Sequence, residues 1–293
     1  MKDVNIGLAS RPCLILAAFF GLVIPTSQRA QVPSRAVVKQ VDHVMIRTND
    51  RERLVGLLAD TLQLPVVWPL PGSTWTFSTG LAFGDLNLEI TPSQRATETS
   101  LGDIAFQAVD FASASRLLKE RGLDPREPGG YTDSAGVRRW STLGFRHPFR
   151  GIAFFIVQYH QFDMDQRRAR FEDTLRRRRG GPLGLKRVIE FRLGYSPDSL
   201  SIVRQSWAPL VDDRVSPAAE RLVPPAGPAI RLVPALGPNS SSILVEVESL
   251  AKAVRAANSL RLVLSANRDS VVLDPARFGG LRITLVGRSK FRR

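Results

Sequence analysis

The sequence predicts an α+β protein built from repeats of one βαβββ unit. Three observations carry this reading. Displacing the 293-residue chain by sixty positions lays Val41-Asp42-His43-Val44-Met45-Ile46 on Leu101-Gly102-Asp103-Ile104-Ala105-Phe106, and self-similarity at a fixed period marks a repeated structural unit. The same displacement carries Asp50 onto Asp110, Leu57-Leu58 onto Leu117-Leu118 and Pro65 onto Pro125. Within each copy, strand-like alternation gives way to an acidic residue of the helix-capping type, then to apolar residues at helical spacing.

The elements follow in order. The N-terminus has Lys2 and Arg11 ahead of an apolar run from Pro12 to Pro25. That run is shorter than the ~20 residues a spanning helix needs, so residues 1–30 read as a signal peptide, with an N-terminal anchor as the alternative. In the first unit a strand over 41–47 leads through Asn49 and Asp50 into a helix with Leu54, Leu57, Leu58 and Leu62 on one face. Strands over 65–69, 74–82 and 85–91 follow, with Pro71-Gly72 and Gly84-Asp85 as turns. The second unit has its first strand over 103–109 and its clearest later strands over 139–143 and 151–159.

Asp163–Gly181 is rich in charge, contains Arg176-Arg177-Arg178-Arg179 and ends in Gly180-Gly181-Pro182. It reads as a solvated linker helix and a breaker within a charged linker over 161–183. Beyond it, Leu185–Leu193 is a strand, and Ser196-Pro197-Asp198 opens a helix with a cap, a proline in the first turn and an acid near the positive dipole end. Pro-rich 216–238 reads as a loop with one short strand. A fourth unit runs from a strand at Ile243–Glu248 through a helix at Leu250–Asn258 to strands at Val271–Leu273 and Gly279–Val286.

Asp42-His43-Val44-Met45-Ile46, the helix after it, Gly84–Ile90, Phe149–Tyr159 and the closing Gly279–Val286 strand together resemble the glyoxalase-like proteins of the vicinal oxygen chelate superfamily. The resemblance implies four βαβββ modules paired into two cup-shaped mixed-sheet domains, over 39–160 and 184–288, the second degenerate. It also implies a divalent metal held by residues on the first and fourth strands of paired modules. Carried over residue by residue, His43 and Glu89 match the two ligands of module one. Asp103 takes the first-strand position of module two and Gln158 its fourth-strand position, with His160 two residues on as a substitute on the same side of the strand. Imidazole with carboxylates suits manganese, iron, zinc or nickel. In the second half the corresponding positions fall near Arg187, Ser242 and Thr284, which make no metal set. Trp68, Trp75 and Trp140 fall on strand candidates, where they either line a small-molecule pocket or pack the core.

Composition narrows the function classes. The chain is 43% hydrophobic and 23% charged, which is globular rather than disordered. Six residues are lysine, leaving 35 of the 41 basic residues as arginine, and the net charge is +14. The arginines are scattered and not interleaved with aromatics, which argues against nucleic acid and leaves a small-molecule ligand, anionic ones included, as the expected partner. Cys13 is the only cysteine and lies in the apolar leader, so the exported, periplasmic or secreted protein would carry no thiol. A homodimer is compatible with this reading. There is no Walker loop, GxSxG or HExxH. Three functions remain: a metal-dependent lyase, isomerase or dioxygenase acting on vicinal oxygens, a metal-free small-molecule-binding protein of the same fold, and a structural or partner-binding role suggested by the second half.

Overall fold

The computed structural model describes residues 36–68, 78–148, 150–211, 219–235 and 240–287. The leader over 1–30, Trp75 and the Pro71-Gly72 turn lie outside them. Residues Ser34–Arg293 form one compact unit.

The first half is two βαβββ modules in sequence. Module one comprises β1 (Val38–Thr48), α1 (Arg51–Gly56), which runs on into a π-helical turn at Leu57–Thr61, and β2 (Val66–Trp68), β3 (Thr79–Phe83) and β4 (Leu86–Pro92). Module two comprises β5 (Ser100–Ala108), α2 (Phe111–Glu120), β6 (Gly129–Thr132), β7 (Arg138–Leu143) and β8 (Phe154–Tyr159). The repeat is visible in the caps: the Asp50 carboxylate accepts from the Arg53 amide and that of Asp110 from the Ala112 amide. Both satisfy amides that have no partner within the helix.

These strands form one curled eight-stranded sheet in the order β2-β3-β4-β1-β5-β8-β7-β6. Each module closes on itself by parallel pairing of its first and last strands, and the modules join through antiparallel β1 and β5. Val44, Ile46, Leu88 and Ile90 are fully buried in the core with Leu54 and Leu58 of the first helical segment. By alternation, His43, Met45 and Glu89 lie on the opposite face.

After α3 (Met164–Arg177), the second half supplies β9 (Leu185–Tyr195), α4 (Pro197–Val211), β10 (Arg221–Leu222), β11 (Ala229–Pro234), β12 (Ser242–Val247), α5 (Leu250–Ser259), β13 (Val263–Ala266), β14 (Ser270–Leu273) and β15 (Arg282–Val286). Its seven-stranded sheet runs β10-β11-β9-β12-β15-β14-β13. The parallel pairs β9–β11 and β12–β15, joined by antiparallel β9–β12, repeat the logic of the first sheet. Two curled mixed sheets of paired modules are thus present, with module three showing three strands among the described residues.

One hydrophobic core runs through both halves. Trp207 of α4 is fully buried and packs edge-on against Phe106 and Phe154, at ring distances of 6.2 and 5.0 Å. The Tyr195 hydroxyl of β9 donates to the Ile152 carbonyl. Among the described residues no helix is long and apolar enough to cross a membrane.

Candidate functional site

The site begins with an irregularity in β1. Val41 pairs with Phe106, yet His43 pairs with Ala105, so Asp42 is an extra residue opposite β5. Such a bulge breaks strict alternation and re-aims side chains. Here it lets neighbouring residues meet: His43 Nδ1 lies 2.8 Å from Asp42 Oδ1. The other ring nitrogen, Nε2, lies 3.1 Å from Glu89 Oε2 on β4. Asp42 is 0% exposed and His43 5%. The Phe155 ring of β8 packs edge-on against the imidazole, 5.6 Å between centroids.

Burial would discharge His43, but hydrogen bonds and charge from Asp42 and Glu89 overcome it and raise its pKa to about 9. It is therefore an imidazolium at neutral pH. Burial would also raise the Asp42 carboxyl, yet His43 and the Arg168 guanidinium hold it below its ordinary value. Glu89 is lowered as well, with His43 and a hydrogen bond to Ser78 outweighing burial. The Tyr159 hydroxyl donates to Asp42 Oδ1 at 3.3 Å and is pushed well above the ordinary phenol value by burial and the two carboxylates.

Arg168 holds the chain of charges from behind. Its Nη2 donates to Asp42 Oδ2 at 2.8 Å, and its Nη1 to the carbonyls of Val41 and Asp85 at 3.0 and 3.1 Å. It therefore ties β1 to the β3–β4 turn. The expectation of a wholly solvated linker helix needs correction here: Met164, Arg168 and Leu175 of α3 are buried. Arg176–Arg179 do face solvent, with Arg176 and Arg177 paired to Asp173.

The other sequence candidates scatter. Asp103 accepts from Arg47 Nη2 at 3.0 Å and from the Ala153 amide at 3.1 Å. Beside that pair a cleft of about 360 Å³ opens among Arg47, Gly151, Gly194 and Ser241. Gln158 and His160 share the side of β8 on which Phe154 and Ile156 enter the core, because Ala105 beside His43 pairs with Phe155. They point away from His43, and His160 Nε2 instead meets Ser141 Oγ at 2.8 Å. Glu89 pairs with Met45 and Phe155 with Ala105, the two first-strand residues sixty apart. Phe155, not Gln158, is thus the counterpart of Glu89. Trp68 lies across from Gly80, itself across from Glu89, and Trp140 lies across from Tyr159 and stacks on Tyr131 at 4.7 Å.

No family profile and no curated protein matches this chain. Solved structures do. Homoprotocatechuate 2,3-dioxygenase from Arthrobacter globiformis matches with a TM-score of 0.54 at 14% identity, over 88% of this chain and 82% of that one. The substrate complex of the Brevibacterium fuscum enzyme with 3,4-dihydroxyphenylacetate matches with a TM-score of 0.52 at 14% identity, over 86% and 81%. The chain has the vicinal oxygen chelate fold.

Vicinal oxygen chelate enzymes imply a divalent metal, and the residues present can be tested against one. A catalytic ion needs about three protein donors and an open position. His43 and Glu89 converge, but Phe155 fills the fourth-strand position with an apolar ring and Asp103 is taken by Arg47. Among the described residues no three of His, Cys, Asp and Glu group to hold an ion. The donor set does not fit a three-ligand metal centre. What this vicinal oxygen chelate cup does present is a buried imidazolium, a partly exposed carboxylate and aromatic rings.

Proposed function

We propose that this protein is an exported small-molecule-binding protein of the vicinal oxygen chelate fold, with its ligand held against the His43–Glu89 pair without a catalytic metal. The observation that carries this reading is Phe155 standing edge-on to His43 where a fourth ligand would be. A ligand with a hydroxyl donor suits Glu89, the more accessible member of the pair, while Phe155, Trp68 and Trp140 supply aromatic surface. Aromatic diols resembling 3,4-dihydroxyphenylacetate, which the Brevibacterium fuscum enzyme binds, are the first compounds to try.

A second reading, metal-dependent dioxygenase, isomerase or lyase chemistry, is favoured by one feature. Asp42 on Nδ1 with Glu89 facing Nε2 is how a carboxylate orients a metal-bound histidine. Elemental analysis of wild type and Glu89→Ala, after incubation with manganese, iron, zinc or nickel, separates the two. The binding reading expects less than about a tenth of an equivalent of each ion and ligand affinity unchanged by chelator. Near-stoichiometric metal in wild type, lost in the variant, would replace it with the enzyme reading.

A further inference from the structure

The second sheet carries an arrangement unrelated to the His43 site. Arg221 pairs directly with Arg231, Arg231 with Arg192, Arg192 with Ser242, and Ser242 with Arg282. Directly opposed residues project from the same face of a sheet. Phe191 and Leu193, which flank Arg192, are buried in the core, so the row stands on the other face. Four arginines thus form one line across five adjacent strands.

Like charges opposed across strands destabilise a sheet, so the row needs a counter-charge. Glu190 supplies the only one in contact among the described residues. Its carboxylate takes Nε of Arg192 at 3.0 Å and of Arg231 and Arg221 at 3.1 Å each. It is 5% exposed, while the three arginines are 32–44% exposed. Burial would raise its pKa, but the three guanidiniums outweigh burial and hold it below its ordinary value. Four guanidiniums against one carboxylate leave three positive charges uncompensated. Each contact with Glu190 uses Nε, so the terminal Nη groups keep their donors without a protein acceptor among the described residues. Glu246 on the neighbouring strand is already engaged by Arg187 and Lys186.

We propose that Arg192, Arg221 and Arg231, gathered by Glu190 and extended by Arg282, form a binding site for the oxyanion of a small molecule, a phosphate or a cluster of carboxylates. Glu190 acts as a positioning residue that holds the guanidiniums side by side, and the forks left over match phosphate and carboxylate geometry. The site is independent of the reading of the first cup.

Calorimetric titration of the whole protein with inorganic phosphate, and separately with citrate, tests this at low ionic strength. Wild type is expected to bind at least one of them saturably. Arg231→Met and Arg221→Met are each expected to weaken it about tenfold or more, as for loss of one charge-assisted hydrogen bond. Arg255→Met, on the exposed face of α5, is expected to bind like wild type. Two arginine variants guard against one failing to fold. Phosphate alone or citrate alone supports the site and names its anion. No saturable binding of either by folded wild type overturns the proposal. So does equal binding by the row variants and wild type.

Discussion

Replacing Arg168 by methionine is the most exacting test of how the first cup is held. The change keeps much of the buried aliphatic stem and removes the guanidinium. Asp42, with no exposure, keeps only His43 and the 3.3 Å bond from Tyr159, and the carbonyls of Val41 and Asp85 lose a charged donor. Breaking a buried ion pair by deleting one partner costs about 3–5 kcal/mol, because the remaining charge stays buried. The lost bonds to carbonyls fall within the same figure, since the groups share one donor and are not additive. With a urea slope of about 1–3 kcal/mol per molar, the midpoint should fall by about 1 M or more. Pairing the change with Asp42→Asn should recover part of the loss, because the unpaired charge goes with it. Arg170→Met, on the exposed side of the same helix, should stay within about 0.5 kcal/mol of wild type. A loss below about 1 kcal/mol for Arg168→Met, or no recovery in the double variant, would refute the picture of a charge chain clamped from behind.

Two further predictions concern the same cup. His43 has a raised pKa, so its contribution is full below the ordinary value of 6.5 and is lost as pH rises through about 9. Wild type should therefore lose up to about 3 kcal/mol across that window while His43→Gln does not, as read by thermal unfolding; parallel profiles would show that no imidazolium is present. Gly80→Ala would place a Cβ 2.4 Å from the Trp68 ring. It should cost about 1–3 kcal/mol and shift the tryptophan emission, with a smaller loss when Trp68→Leu makes room; an unperturbed spectrum would show that Trp68 does not lie over Glu89's neighbour.

Much of the fold was legible because it rests on local rules that repeat. Asp50 and Asp110 cap helices at one spacing, Pro197 and Asp198 open α4, and Leu250 opens α5 after the Ser249 cap. The site was legible only in part. The His43 and Glu89 side chains do meet, 3.1 Å apart. Gln158 lies on the other face of β8 from Phe155 because module two is longer: Met45 pairs with Glu89, forty-four residues on, but Ala105 pairs with Phe155, fifty on. The bulge at Asp42 leaves no mark in an apolar–polar pattern, which does not show which residue of β1 lacks a partner on β5. Arg168 was hidden by its setting, one inward arginine in a helix whose other basic residues are more exposed. The arginine row depends on register between strands, which no single strand's pattern contains.

The position of β1 in the sheet sets an order of assembly. The strand with Asp42 and His43 is the first element of the described fold to leave the ribosome, yet in the sheet it does not border β2, the strand that follows. Its neighbours are β4, which ends at Pro92, and β5, which ends at Ala108, and the buried acid has no guanidinium until Arg168 has been made. Non-local pairing of this kind forms slowly. The nascent chain therefore carries β1 without both sheet neighbours until Ala108 is made, and Asp42 without its guanidinium until Arg168 is made, past the midpoint of the 293 residues.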